Sequence, residues 1–277
     1  LLGLVDDMRT LPSLPRLGVQ LLIALGLTAY LPTFTTVDCL PGVTFEAGWL
    51  GTAVTFLWIV GLSNVYNFMD GIDGIAGLQG LLAGLGWAAL TYETSAAGSL
   101  GFFLAAACLG FLVHNWSPAK IFMGDVGSAA TGCLLAVMPL LANAFHHDRL
   151  ANARFFQPAL SDLDWLIIGA LLVWPFIFDG AFTFFRRALN RENVLQAHRS
   201  HLYQRLAHAG WGHPRVALLY GALALCGLAL ACAWQSWQAQ AFFPVLAVLL
   251  LLGGSLIFIT FNTERHARDR AATTVRT

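Results

Sequence analysis

The chain has 277 residues, 57% of them hydrophobic and 11% charged. A soluble domain carries about 25% charged residues to cover its surface, so composition argues against a water-soluble fold, as does a mean hydropathy of +0.68. Fifteen Lys and Arg balance fifteen Asp and Glu, which leaves no excess of basic charge for nucleic acid, and no polar linker divides the chain into two soluble domains.

The chain opens Leu1-Leu2-Gly3-Leu4-Val5-Asp6-Asp7, with no initiator methionine. It lacks the basic-then-apolar order of a signal peptide. Leu1 to Val5 read as the cytosolic end of a helix that starts upstream. The polar segment Asp6, Asp7, Met8, Arg9 runs on to Arg16 and Gln20. A bilayer-spanning helix needs roughly 20 mainly apolar residues, and the first such run covers residues 17–34. The second, 49–66, reads GWLGTAVTFLWIVGLSNVY with its flanking glycine and has no polar face, which a soluble bundle would require.

That span runs into NVYNFMDGIDGIAG. Asn64 and Asn67 are three apart, as are Asp70 and Asp73, so continued helical turns bring all four near one face. Spans three and four cover 75–92 and 98–113, separated by a few small or polar residues and rich in Gly and Ala that allow close helix approach. Next comes HNWSPAKIFMGDVGSAATG, with Asn115, Asp125 and Lys120, the single lysine among fifteen basic residues. A compact point charge is what lysine offers over arginine, and Gly124 and Gly127 free backbone N–H groups for an oxyanion.

Spans five and six cover 126–143 and 165–182. A long basic stretch, 184–215, follows, with Arg186, Arg187, Arg191, Arg199 and Arg205 beside His198, His201 and His208; its charge suits a pyrophosphate or anionic head groups. Spans seven and eight cover 216–234 and 242–261. The predicted fold is therefore an all-α polytopic transmembrane bundle of eight spans, with one membrane domain over 1–261 and a cytosolic tail over 262–277. The five cysteines show no CxxC spacing and read as small hydrophobes rather than a zinc site or disulfides.

Alternating the loops puts thirteen of the fifteen Lys and Arg on one side and Arg149 and Arg154 on the other. The positive-inside rule makes the first side cytoplasmic. Asp6, Asp7, Asp70, Asp73 and Asp125 all lie on that side at span ends, with Asp179 inside the end of another span. Carboxylates at such depth are costly unless paired, hydrated or bound to a cation. Oxygen donors in this number point to Mg²⁺, or Mn²⁺, and away from zinc, and magnesium in turn points to a phosphate-bearing substrate.

Together, GLVDDMRTLPSLPRLGVQ, NVYNFMDGIDGIAG, NWSPAKIFMGDVGS and the run from His198 to Gln204 resemble the motif blocks of the polyprenyl-phosphate N-acetylhexosamine-1-phosphate transferases. In the fourth block His201 takes the first place of that family's histidine cluster and Tyr203 the next. This departure resembles the branch that starts O-antigen-type lipopolysaccharide chains and stands away from the peptidoglycan member. Members carry more helices than the eight read here, so the resemblance implies helices upstream of Leu1.

The resemblance implies a Mg²⁺-dependent enzyme of the bacterial inner membrane with its active site on the cytoplasmic face. It would move a sugar 1-phosphate from a UDP-sugar, an N-acetylhexosamine or 6-deoxy relative, to undecaprenyl phosphate, releasing UMP. By the same carry-over Asp6, Asp7 and Asp125 are catalytic, and Asp125, Asp7 and Asp73 hold the metal. Asn64, Asn67, Asp70, Asp73, Asn115, Lys120, Arg199 and His201 bind substrate. A direct displacement is expected; a covalent aspartyl intermediate is the rival. Membrane lipids are partners, and a homodimer is one assembly this architecture admits. The competing class is a non-catalytic lipid-binding or transport protein, which calls for internal repeats or discontinuous helices meeting at mid-membrane.

Overall fold

The structure is a computed structural model that describes residues 13–40, 43–91, 95–152, 160–193, 196 and 198–274. Helix α1 is Ser13–Tyr30. A hairpin follows, β1 Thr36–Leu40 and β2 Val43–Glu46, then α2 Trp49–Met69, α3 Ile75–Thr91, α4 Ala96–Asn115 and α5 Gly124–Asn152. The second half comprises α6 Asp162–Leu172, α7 Trp174–Leu189, α8 Leu202–His208, α9 His213–Trp237, a 3-10 turn Gln238–Ala241 and α10 Phe242–Thr274. The paired-aspartate segment with Asp6 and Asp7 lies outside the described residues.

The fold is an all-α membrane bundle. Among the described residues four stretches are long and apolar enough to cross a bilayer: Trp49–Met69, Ala96–Asn115, Gly124–Ala144 and His213–Thr273. At 1.5 Å per residue the 21 residues of α2 span roughly 30 Å, the thickness of the hydrocarbon core. Counting the bent pair α6–α7 gives five, while Leu17–Tyr30 and Ile75–Thr91 are shorter apolar helices. Eight crossings, the number expected from the sequence, are more than these lengths establish. Large apolar side chains such as Leu57, Phe103, Leu225 and Leu251 stand exposed; in water they would be a liability, and against lipid they are the ordinary outer surface.

Small residues allow close helix contact. Gly84 of α3 and Gly101 of α4 meet backbone to backbone, so that a Cβ on Gly84 would lie 2.6 Å from the Gly101 carbonyl oxygen. The segment between the first two expected spans contains the antiparallel hairpin, with Thr36 opposite Glu46 and Val37 opposite Phe45. It is too short to give a strand signal in so apolar a chain. The 3-10 turn and Gln238, left-handed at φ 48°, separate α9 from α10.

The sixth span departs from expectation. The continuous apolar run 165–182 is two helices that meet at an 82° bend. Val173 ends α6, and Pro175 stands in the first turn of α7. Proline has no N–H and its ring clashes with the carbonyl four residues back; α5 carries such a residue, Pro139, within one helix, whereas here the backbone leaves helical geometry at Val173 (φ −122°, ψ 17°) and α7 restarts with proline in its first turn. The bend frees the carbonyl of Leu172, and Gln79 of α3 supplies its partner through Nε2 at 2.8 Å. An unpaired carbonyl in an apolar interior costs several kcal/mol by the order of magnitude for lipid, which explains a buried glutamine in a helix made mostly of Gly, Ala and Leu.

Candidate active site

Below the site runs a file of buried rings. Tyr66 packs on Phe176 at 5.2 Å, Phe176 on Tyr220 at 6.4 Å, and Tyr220 edge-on to Tyr203 at 6.3 Å. The Tyr66 hydroxyl donates to the Ala76 carbonyl at 2.6 Å, pinning the start of α3 to α2. Between these two helices the chain turns tightly over residues 70–74. Gly74 closes the turn at φ +80°, with the Trp116 ring 3.1 Å from where a Cβ would stand; both the backbone angle and the space demand glycine.

Asn115, the last residue of α4, holds this turn against the next loop. Its Oδ1 accepts from the Gly74 N–H at 2.9 Å, and its Nδ2 donates to the Ile121 carbonyl at 2.9 Å. The N–H of Ala119 donates to Asp73 Oδ2 at 3.2 Å. The second and third motif blocks are therefore sewn together by backbone and amide bonds.

Asp125 sits in the first turn of α5, where a carboxylate is favoured by the helix dipole. Asn67 reaches it from the last turns of α2: Asn67 Nδ2 donates to Asp125 Oδ1 at 2.9 Å and to Ser128 Oγ at 2.8 Å. Ser128 in turn donates to the Gly124 carbonyl at 2.8 Å. Asn67, Asp70, Asp73, Asn115 and Asp125 line one cleft of about 250 Å³, together with Gly71, Gly124 and apolar neighbours. Five of the residues expected at the site thus converge. Asn64 points elsewhere along α2: its Nδ2 donates to Gln20 Oε1 at 2.9 Å and to the Val60 carbonyl at 2.8 Å. It ties the helix of the first block to the second. Lys120 is exposed on the loop beside the cleft, its own N–H bonded to the His114 carbonyl at 2.8 Å.

The acids of the cleft are shifted in opposite directions. Burial, with the charge of Asp125 added, pushes Asp70 up to about 7. Burial also works to raise Asp73, but the Ala119 N–H, the His213 ring and the Ser117 hydroxyl outweigh it and hold Asp73 below the usual carboxylate range. His213 is a site residue that sequence reasoning missed. Its Nδ1 lies 3.3 Å from Asp73 Oδ2 and 3.4 Å from the Asp73 nitrogen. In sequence His213-Pro214 is a helix-start signal, and nothing in it indicates Asp73, 140 positions away.

The fourth block is organised by a buried acid. Asp179 of α7 is fully buried and accepts from His201 Nδ1 at 3.2 Å, Leu202 N at 2.8 Å, Tyr203 N at 3.1 Å, Tyr220 Oη at 2.5 Å and Thr183 Oγ1 at 3.1 Å. His201, expected at a phosphate, is 5% exposed and caps α8 beside Asp179. His198 packs on it at 5.0 Å; burial, then the charges of His201, Arg187 and Arg186, take His198 down to about 4, so it brings no charge at neutral pH.

Much of the loop's positive charge is spent internally. Arg186 donates to the Ser200 carbonyl at 3.1 Å, Arg187 to the Asn193 carbonyl at 2.6 Å and to Glu192 at 3.3 Å. Arg205 grips Glu264 of α10 through two 2.7 Å bonds and lies over the Phe261 ring. Arg199 is exposed. Helix α10 passes through position 261 without a break, so Glu264, from the segment expected as a tail, belongs structurally with α8.

Among the described residues no three His, Cys, Asp or Glu side chains form a ready-made cation cage. Magnesium seldom uses one; it binds through one or two carboxylates, with waters and substrate phosphates completing its shell. Asp125 and Asp70 fit that role: two oxygen donors in one open cleft, close enough that the charge of Asp125 raises Asp70, a mutual repulsion that a divalent cation relieves. The expected ligand Asp73 is drawn toward Ala119 and His213 through Oδ2, and the expected ligand Asp7 lies outside the described residues.

A sequence model described as glycosyl transferase family 4 matches residues 1–143. A probable undecaprenyl-phosphate N-acetylglucosaminyl 1-phosphate transferase of Bacillus subtilis (strain 168) is 33% identical over 228 residues, 79% of this chain and 58% of the relative. A phospho-N-acetylmuramoyl-pentapeptide-transferase of Synechococcus sp. (strain JA-2-3B'a(2-13)) is 34% identical over 234 residues, 81% of this chain and 63% of the relative. One of Shouchella clausii (strain KSM-K16) is 37% identical over 163 residues, 51% of this chain and 48% of the relative. The chain spans less than two thirds of the length of these relatives.

Proposed function

The chain belongs to glycosyl transferase family 4, and from that premise we propose that it transfers a sugar 1-phosphate from a UDP-linked N-acetylhexosamine to undecaprenyl phosphate, releasing UMP. The observation that carries this reading is the cleft in which Asn67 holds Asp125 beside Asp70 and Asp73. Clustered carboxylates at the end of apolar helices suit a reaction between a water-soluble diphosphate and a membrane lipid.

In this reaction an oxygen of the lipid phosphate attacks the β-phosphorus of the nucleotide sugar. The bond from that phosphorus to the bridging oxygen breaks, and UMP leaves with the electron pair. The lipid phosphate is already largely ionised near pH 7, so positioning outweighs proton abstraction as the contribution of the protein. By family resemblance Asp6 would help deprotonate the lipid phosphate and Asp7 would be its partner at the cation. Asn67 fixes the Asp125 carboxylate, and Asn115 fixes the 70–74 turn. Mg²⁺ bound at Asp125 would neutralise charge on the diphosphate. Lys120 and Arg199, both exposed, are cations available to meet phosphate oxygens, while His201 acts through the fold of α8.

The motif blocks face the cytoplasm, since thirteen of fifteen basic residues fall on that side of the alternating loops, and the short helices α1 and α3 cross the membrane with their longer neighbours. Cysteine labelling at Asn190 tests the orientation: reaction from outside intact cells would reverse it. The Bacillus relative supports an N-acetylglucosamine-type donor, as does the Tyr203 departure in the fourth block. A second reading, UDP-MurNAc-pentapeptide as donor, is favoured by the name of the Synechococcus relative. Supplying undecaprenyl phosphate, Mg²⁺ and each UDP-sugar to the membrane-inserted protein decides between them by which one yields UMP and lipid-linked product. Release of UDP in place of UMP would mean attack at the sugar carbon and would end the phosphotransferase reading.

A further inference from the structure

One side chain of the fourth block reaches the cleft wall. Tyr203, in the first turn of α8, is fully buried, and its hydroxyl donates to the Phe68 carbonyl at 3.0 Å. Phe68 lies in the last turn of α2, where carbonyls lack intrahelical partners. Tyr203 therefore supplies a C-terminal cap from another element, two residues before Asp70. Gly71 packs on the same hydroxyl: a Cβ there would collide with Tyr203 Oη, and would lie 3.1 Å from its Cζ and 3.3 Å from Gln204 Nε2.

The ring itself has little freedom. It stacks on His201 at 5.9 Å and meets Tyr220 edge-on at 6.3 Å. Its backbone N–H and the Tyr220 hydroxyl both bond to Asp179 Oδ2, at 3.1 and 2.5 Å. A continuous set of short contacts thus runs from Asp179 on α7, through Tyr203, to Phe68 and Gly71, and ends at the turn that carries Asp70 and Asp73.

We propose that Tyr203 is a positioning residue: anchored by Asp179, it fixes the backbone of the 70–74 turn and so sets where the Asp70 and Asp73 carboxylates stand in the cleft. Its effect on turnover rests on the transferase reading; the mechanical coupling does not.

Tyr203→Phe keeps the ring and removes the bond to Phe68. Hydrogen exchange of the backbone amides of the 68–74 segment should accelerate about 10-fold, the factor equivalent to one modest hydrogen bond, with the melting temperature little changed. UMP release should show kcat lowered about 10-fold and KM for the UDP-sugar nearly constant, the split expected when alignment is lost and binding is kept. Gly71→Ala should be costly in the parent protein and less costly in the Tyr203→Phe background, where the colliding oxygen is gone. Unchanged exchange in Tyr203→Phe, or a Gly71→Ala cost equal in both backgrounds, would overturn the coupling. Acceleration spread evenly over α2, α8 and α9 would also overturn it, by making Tyr203 a general packing residue. Faster exchange at 68–74 with unaltered kcat would remove its part in turnover. If the parent protein releases no UMP from any UDP-sugar, the functional reading fails, while exchange and the melting-temperature cycle of Gly71 with Tyr203 still decide the coupling.

Discussion

Asn67 Nδ2 and Asp125 Oδ1, 58 positions apart in the chain, meet at 2.9 Å and join the end of α2 to the start of α5. The bond fixes one oxygen of the acid while the same amide nitrogen also reaches Ser128. Asn67→Ala should leave the fold intact and loosen Asp125. By the usual cost of losing an outer partner of a metal-site ligand, about 10- to 100-fold in activity or metal affinity is expected. A Mg²⁺ titration of UMP release should show a raised half-saturation; a titration that superimposes on the parent curve would separate Asn67 from Asp125 function.

Asp125→Asn preserves shape and removes charge. Transfer should fall by at least about 10²-fold, the scale for losing one preorganised electrostatic group, with membrane insertion and melting temperature retained. Activity near the parent level would remove Asp125 from the metal role.

Asp70 gives a pH signature. Its pKa is raised from 3.8 to about 7, so the folded state binds this proton more tightly than the unfolded chain does. Stability from this group is therefore fully present at low pH and is lost as pH rises from about 4 to about 7. In magnesium-free buffer Asp70→Asn should raise the melting temperature at pH 8 and leave it nearly unchanged at pH 4. The same substitution should depress transfer at every pH, because the ionised carboxylate is the form that receives a cation. Equal melting shifts at both pH values would contradict the buried, repelled state of Asp70.

Arg205 and Glu264 are 11% and 18% exposed at their side chains and form two parallel bonds. Arg205→Ala leaves Glu264 without its main partner and should destabilise the protein by roughly 3 kcal/mol, the scale for breaking a largely buried pair from one side. Arg205→Lys should recover little of it, since an ammonium cannot reproduce the planar fork. Thermal unfolding of the two variants in detergent tests this directly.

Much of the site was legible because its chemistry is local. Asn67, Asp70 and Asp73 sit at helical spacing at the end of an apolar run, and Asp125 stands at the beginning of another; both are visible without tertiary knowledge. What stayed hidden depends on contacts between distant segments. His213 meets Asp73 from the start of α9, 140 positions on. Asp179 was visible as an acid in a span, but its five donors come from three separate helices. Arg205 looked like a free cation because Glu264 lies 59 positions on, in what hydropathy marks as a tail. The α6–α7 bend was hidden for another reason: hydropathy runs unbroken across Val173, and a scale that sums apolarity cannot register a change of direction.

That bend carries an obligation into another helix. The chain leaves helical geometry at Val173 and restarts at Pro175, and Gln79, nearly a hundred positions earlier, bonds the carbonyl that this leaves over. The two residues are separable in the genome and inseparable in the membrane. Gln79→Leu, harmless by any hydropathy count, would strand the Leu172 oxygen in an apolar interior, whereas the same change in a chain with a straight sixth helix would leave no oxygen stranded. The identity of residue 79 therefore answers to the shape of a helix to which it does not belong.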